Sequence, residues 1–183
     1  MNKLMKGLIV YKGKYGATRQ YADWLGEELN LPAITADDMT TESLLPCDFI
    51  IIGSSVYIGK LQISKWLSNN LAAIKGKKIF FFQVAGTAPE EREKLQAYIR
   101  SGVPEEIREH CEVYYYQGKM ILNDLSWKDK FMLKMGARLT RDPAAKKNML
   151  TDYNQVKKEN ITGLVDAVKK FSVAAKEKVP ALS

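Results

Sequence analysis

Short runs of apolar residues alternate along this chain with stretches in which large apolar side chains return every three or four positions. The first kind reads as buried strand and the second as amphipathic helix. Leu4 to Tyr11 opens as a strand. Ala17 to Leu29 follows as a helix carrying Tyr21, Trp24, Leu25 and Leu29 on one face. Pro32 restarts the chain, Ala33 to Ala36 reads as a short second strand, and Asp48 to Ile52 as a third, continuously apolar as expected when both faces are covered. Ile63, Trp66, Leu67, Leu71 and Ile74 mark a second helix. A fourth strand spans Ile79 to Val84. Thr87 is placed to cap a third helix, with Pro89 in its first turn and an end near Ser101. Pro104 to His110 adds a turn or two of helix, Val113 to Gln117 a fifth strand, and Asn154 to Phe171 a last helix built on Val156, Ile161, Leu164, Val165 and Val168, before a fraying tail. Regular strand–helix alternation predicts an α/β three-layer sandwich around a five-stranded, mainly parallel sheet with right-handed crossovers.

The joints between these elements are more informative than the elements. Lys12-Gly-Lys-Tyr-Gly-Ala-Thr18 joins the first strand to the first helix with no spare residues. Gly13 and Gly16 allow a tight turn that exposes successive backbone N–H groups, and the positive end of the helix dipole points at the same place. The spacing is neither that of a P-loop nor Gly-x-Gly-x-x-Gly. Two further polar, Gly-containing segments follow strands three and four: Gly53-Ser-Ser-Val-Tyr-Ile-Gly59 and Ala85-Gly-Thr87. In an open parallel sheet such segments meet beyond the carboxyl ends of the strands, where the strand order reverses. A ligand with one phosphate and a flat ring suits three such segments best.

Composition narrows the chemistry. At 183 residues, nearly half of them apolar, the chain has the size of one ordinary domain. No signal-peptide pattern and no apolar run near the ~18 residues of a membrane span is present, so a cytoplasmic protein is expected. Cys47 and Cys111 form no Cys-x-x-Cys pair, and His110 is the sole imidazole, which removes the usual ligand sets for zinc and the usual nucleophile–base pairs. The net charge of +7 is unevenly placed: residues 1–118 carry 14 Lys/Arg and 14 Asp/Glu, residues 119–183 carry 14 and 7. The basic final third would suit an anionic membrane surface, an acidic protein or a carboxylated substrate. No nucleic-acid reader motif accompanies it, and nucleic acid is not expected as a partner.

With these residues in view, the chain resembles the flavodoxin-like family over almost its whole length. Within that family it looks most like the flavodoxin-type, menaquinone-dependent protoporphyrinogen IX dehydrogenases. The resemblance rests on Thr18-Arg19 at the start of the first helix, the basic aromatic segment Trp127-Lys-Asp-Lys-Phe-Met-Leu-Lys-Met135, and Thr151-Asp-Tyr153 before the last helix. It implies a sheet of order 2-1-3-4-5 and non-covalent FMN. The phosphate would lie among Lys12, Gly13, Lys14, Tyr15, Gly16, Ala17 and Thr18. The ring would pack against Ser54, Ser55, Val56, Tyr57, Ile58 and Gly59, with Tyr57 in the usual aromatic position, and against Ala85, Gly86 and Thr87. The implied activity moves electrons from an organic substrate, such as a porphyrinogen, to a quinone or a protein. A carrier without its own substrate, or a flavin-free interaction module, are the alternatives. Lys12 and Gly13 stand where the family usually has hydroxyl residues, so cations replace two hydrogen bonds to phosphate. Lys12, Lys14 and Lys60 would also favour a reduced, anionic flavin by Coulomb attraction.

Residues 119–150 are too long for an ordinary connection and read as a basic insertion in a single flavodoxin-like domain. Ser126-Trp-Lys-Asp129 has the form of a capping box, so a helix should start at Trp127. Trp127, Phe131, Met135 and Leu139 recur every four residues, while Lys128, Lys130, Lys134, Arg138 and Arg141 fall largely elsewhere. Three readings fit: the stripe packs on its own domain, it lies on anionic lipid close to a membrane quinone at the inner face, or it forms a lid whose cations meet substrate carboxylates. Trp127, Lys128, Lys130 and Lys134 are the residues expected to make such contacts.

Overall fold

In the computed structural model, which describes residues 5–177, five parallel strands form the sheet: β1 (Gly7–Lys12), β2 (Ala33–Thr35), β3 (Phe49–Tyr57), β5 (Lys78–Ala85) and β6 (Cys111–Gln117). Their order is β2-β1-β3-β5-β6, which is 2-1-3-4-5 when the parallel strands alone are counted. The added element is β4 (Lys60–Leu61), a two-residue strand that folds back antiparallel on the end of β3. Helices α1 (Ala17–Leu29), α2 (Thr41–Leu44), α3 (Ser64–Ile74), α4 (Arg92–Gly102) and α5 (Glu105–Arg108) fill the connections. After β6 the chain makes an excursion through β7 (Lys119–Met120), α6 (Trp127–Leu139), α7 (Pro143–Met149) and β8 (Tyr153–Asn154). It then enters α8 (Thr162–Glu177) by a 3₁₀ turn at Lys158–Ile161. β7 and β8 pair antiparallel and close the base of the excursion.

Alternating strand residues feed two cores. Ile9, Ile51, Phe80 and Phe82 point to the side covered by α1 and α8, where they meet Tyr21, Leu25, Leu164 and Val168. Leu8, Val10, Ile50, Ile52 and Phe81 point to the side covered by α3 and α4 and meet Leu67, Ile74 and Ile99. Each fully buried Phe or Ile contributes about 1.5–3 kcal/mol of apolar transfer free energy. The centre of the sheet is therefore fixed by the pattern that marks β3 and β5 as continuously apolar.

Several boundaries differ from the sequence reading. Strand β3 runs on to Tyr57, because Val56 and Tyr57 pair with Leu61 and Lys60; much of the expected 53–59 loop is hairpin. Helix α4 begins at Arg92, not beside Thr87. Gln117 Nε2 donates to the Thr87 carbonyl at 2.9 Å and Glu91 N to the Ala88 carbonyl at 3.0 Å, so residues 87–91 are held as a turn and Pro89 lies outside the helix. The last helix begins at Thr162, because Tyr153 and Asn154 are engaged with Met120 and Lys119. It also continues past Phe171 to Glu177. Strand β1 starts at Gly7; Leu4, the expected first residue, lies outside the described residues, as does the tail at 178–183.

Burial and the neighbouring Glu112 carboxylate push the Tyr114 phenol up to about 12. A raised phenol pKa means that the folded state keeps the proton while the unfolded chain releases it near pH 10. The contribution is complete below pH ~10 and is lost as pH rises toward 12. Urea midpoints should hold steady up to about pH 10 and fall beyond it, and the fall should lessen in Tyr114→Phe.

Candidate functional site

Order reverses between β1 and β3, since the chain leaves β1 for β2 on one side and later returns to β3 on the other. The segments following β1, β3 and β5 meet beyond that point. Around them lie two adjoining cavities. The narrow one, about 90 Å³, is bounded by Lys14, Tyr15, Ala17, Thr18, Ser55, Val56, Tyr57, Ala85, Gly86, Lys119 and Tyr153. The wider, about 590 Å³, lies between Val56, Ile58, Gly59 and Ala85 to Thr87 on one side and Met120, Leu133, Met149 and Tyr153 of the excursion on the other.

At the base of the narrow cavity, Gly16 precedes α1 with a φ of 81°, a left-handed conformation that favours glycine, and offers no side-chain cap to the helix. The first N–H groups of α1 have no intrahelical acceptor. Beside them Thr18 is 1 % exposed, yet its Oγ1 has no hydrogen-bond partner. A buried hydroxyl left unpaired costs about 1–3 kcal/mol, so this one marks a place where an acceptor belongs. Gly13 packs directly on Thr18: a Cβ there would stand 2.5 Å from Oγ1. Lys119 reaches in from β7, with Nζ 3.7 Å from where a Cβ on Gly16 would sit.

The second wall is the β3–β4 hairpin. Ile58 and Gly59 both have positive φ, 49° and 71°, which makes the two-residue turn whose twist matches a hairpin. For β-branched Ile58 this is strained by about 1–3 kcal/mol. It is nevertheless 64 % exposed, at the lip of the wider cavity. Ser54 and Ser55 serve the hairpin instead. Ser54 is fully buried away from both cavities and accepts from Ile63 N at 3.2 Å; Ser55 Oγ donates to Gln62 Oε1 at 2.5 Å.

The third wall follows β5. Gly118 N donates to the Ala85 carbonyl at 2.9 Å, holding that strand end to β6. The Tyr153 hydroxyl lies so close to Gly86 that any Cβ there would collide with it.

Of the three cations expected to face the ligand, Lys60 is exposed on the hairpin outside both cavities, and Lys12 and Lys14 are already paired. Lys12 Nζ meets Asp37 Oδ1 at 2.6 Å, outside both cavities. Lys14 Nζ meets Asp129 Oδ2 at 2.7 Å and donates to Tyr57 Oη at 2.9 Å. Asp129, 5 % exposed on the inward side of α6, also accepts from Tyr57 Oη at 2.5 Å and from Tyr15 Oη. Hydrogen bonds to Asp129 and Tyr57 raise the Lys14 pKa, which favours its charged form. Neither Lys12 nor Lys14 therefore brings uncompensated positive charge to the cavity, contrary to the simple count of lysines.

Of the expected residues, Lys14, Tyr15, Ala17, Thr18, Ser55, Val56, Tyr57, Ile58, Gly59, Ala85, Gly86 and Thr87 border one or both cavities, and Gly13 and Gly16 shape the turn beneath Thr18. Lys119, Asp129, Met120, Leu133 and Met149 were missed as neighbours of these segments. The capping-box pattern did mark Asp129, but as a helix start. Trp127, Lys128 and Lys134 lie on the exposed outer side of α6, while Lys130 Nζ turns back to the Asn123 carbonyl at 3.0 Å. Among the described residues no group of three or more side chains is arranged to hold a metal, and no helix is long and apolar enough to cross a membrane.

The geometry can be set beside known proteins. No curated protein matches the sequence significantly. Among solved structures, the metal-soaked Flv1 flavodiiron core of Synechocystis is 16% identical over 92% of this chain and 37% of its own, with a TM-score of 0.50; this chain spans about a third of it. A flavodoxin, WrbA-like protein from Agrobacterium tumefaciens is 18% identical over 66% of this chain and 87% of its own, with a TM-score of 0.48. A flavodoxin from the domain Archaea is 20% identical over 61% and 85%, with a TM-score of 0.42. Residues 8–147 match the flavodoxin domain family, from the core of β1 through the segments that follow β1, β3 and β5 and into α7, and the chain belongs to that family.

Proposed function

We propose that the chain binds FMN non-covalently where β1, β3 and β5 end, and passes electrons between an organic substrate held in the wider cavity and a quinone or protein acceptor. The observation that carries this reading is the orphaned Thr18 hydroxyl at the start of α1. A buried donor beside a helix N-terminus and a glycine turn is what a phosphate requires. When bound, FMN supplies the redox chemistry that no side chain here offers. Thr18 Oγ1 and the first N–H groups of α1 would hold its phosphate, with Lys119 providing charge at Gly16. Tyr57 and the backbone of Ala85 to Thr87 would flank its ring, with Tyr153 packed against Gly86 beside it.

A pure electron carrier needs only an exposed edge of its cofactor. The adjoining cavity of about 590 Å³ favours a substrate instead, because its size falls within the ~300–1,000 Å³ typical of small-molecule sites. The sequence resemblance makes protoporphyrinogen IX the first substrate to try, with a quinone as acceptor.

The test is a titration with FMN followed by visible absorption, with anaerobic reduction to show that the bound flavin is active. Thr18→Val should weaken binding by about 1.5–3 kcal/mol, the value of a hydrogen bond to a charged group, or ten- to somewhat over a hundredfold. Thr18→Ser should restore most of it. Failure of the native protein to bind FMN at millimolar concentration would end the flavin reading.

A further inference from the structure

The apolar stripe of α6 faces outward. Trp127 is 74 % exposed, Phe131 61 %, Met135 39 % and Leu139 78 %. The helix meets the rest of the molecule through the opposite side, where Asp129 and Ala137 are buried and Leu133 lines the wider cavity. Lys128, Lys134 and Arg138 are exposed on the outer side, interleaved with the stripe. Asp129 is the single acid on α6, and it is turned inward and paired with Lys14. The acid just beyond the helix, Asp142, caps α7 by accepting from Ala144 N at 2.9 Å. The outer face of α6 is thus both apolar and cationic, with no carboxylate of its own.

We propose that this face seats the protein on an anionic lipid bilayer. Charge decides the occupant. A second copy of the chain would bring Lys128, Lys134 and Arg138 against their own counterparts, whereas an anionic headgroup layer attracts all three. A flat layer also matches a single helix whose large side chains Trp127, Phe131, Met135 and Leu139 are exposed at four-residue spacing. Trp127 suits the headgroup level, Phe131, Met135 and Leu139 reach the acyl boundary, and the lysine and arginine stems extend along apolar surface while their charges stay among the phosphates. Leu133, on the opposite side of the same helix, lines the wider cavity, so seating α6 would set that cavity one helix diameter, ~10 Å, from the lipid in which an apolar electron acceptor dissolves. The contact itself does not depend on FMN.

The experiment is co-sedimentation of the full chain with vesicles of phosphatidylcholine alone and of phosphatidylcholine with phosphatidylglycerol, at low and high salt. Binding to the anionic vesicles, lost at high salt and accompanied by a blue shift of Trp127 fluorescence, is the expected result. Reversing Lys128, Lys134 and Arg138 to Glu should lower the partition coefficient on the order of a hundredfold or more. Trp127→Ala with Phe131→Ala should lower it about as far without changing the salt dependence. Circular dichroism checks that both variants are folded. Three results would each overturn the proposal: no binding by the native chain, binding undiminished in both folded variants, or a dimer that forms in place of vesicle binding and is abolished by Trp127→Ala with Phe131→Ala. FMN titration of the same samples separates the two readings, since a chain that takes up flavin and ignores vesicles refutes this one alone.

Discussion

Alanine in place of Gly53 should destabilise the protein by about 3 kcal/mol, near the upper end of overpacking costs, and lower its Tm by roughly 6–12 °C. Gly53 lies in the middle of β3, opposite Tyr11 on β1 and Phe82 on β5. A Cβ there would collide with the Cζ edge of the Phe82 ring. That ring is fully buried and stacked on Tyr116, with centroids 5.5 Å apart and planes 27° apart, so it has nowhere to move without displacing a second aromatic. Gly76 is the control. A Cβ there meets nothing within 4 Å, and Gly76→Ala should leave the urea midpoint within about 0.5 kcal/mol of the native value. If Gly53→Ala unfolds no earlier than the native chain, the packing described for β3 against Phe82 is wrong.

Asp129→Asn should loosen the excursion more than the sheet. The carboxylate collects Lys14, Tyr15 and Tyr57 in a space where it is 5 % exposed. Asparagine has no charge and one oxygen fewer, so both phenols lose a charged acceptor, each such bond being worth about 1.5–3 kcal/mol. Lys14 can turn to water and adds no separate cost. The expected loss is about 2–4 kcal/mol, felt as undocking of α6. Limited trypsin digestion reports it, because Lys128, Lys130 and Lys134 should become cleavage sites long before the sheet opens. Tyr57→Phe should reproduce a fraction of the effect. Digestion rates equal to those of the native chain would show that α6 is held by its apolar contacts alone.

Pattern alone revealed the sheet because both of its faces are buried. Ile50 to Ile52 and Ile79 to Phe82 can be continuously apolar only between two helical layers, and the helices betray themselves by period. The strand order came from resemblance. The three glycine-bearing segments were legible for a related reason: a turn that must present backbone to a ligand uses residues such as Gly13, Gly16 and Gly86, which leave a mark in sequence. What escaped was long-range. Nothing near Asp129 says that its partners are Lys14, Tyr15 and Tyr57. Lys12 and Lys14 read as open charge because Asp37 and Asp129 are distant in sequence. The hairpin at Ile58 was hidden because isoleucine is a poor predictor of positive φ. Periodicity found the amphipathic helix at Trp127, but periodicity has no sign: it cannot say which side of a helix is the inner one, and here the conspicuous stripe is the outer.

The contact between Lys14 and Asp129 spans 115 residues of chain, whereas consecutive parallel strands of the sheet are joined by far shorter connections. Closing so long a loop costs more entropy than forming any β–α–β unit, and contacts of this kind form late. During refolding, the turn at Gly13 to Thr18 should therefore be complete while the wider cavity still lacks its far wall. The two halves of the site acquire separate clocks: a ligand held by the strand ends binds as soon as the sheet condenses, while one that needs Leu133 or Met149 must wait for α6 and α7 to dock.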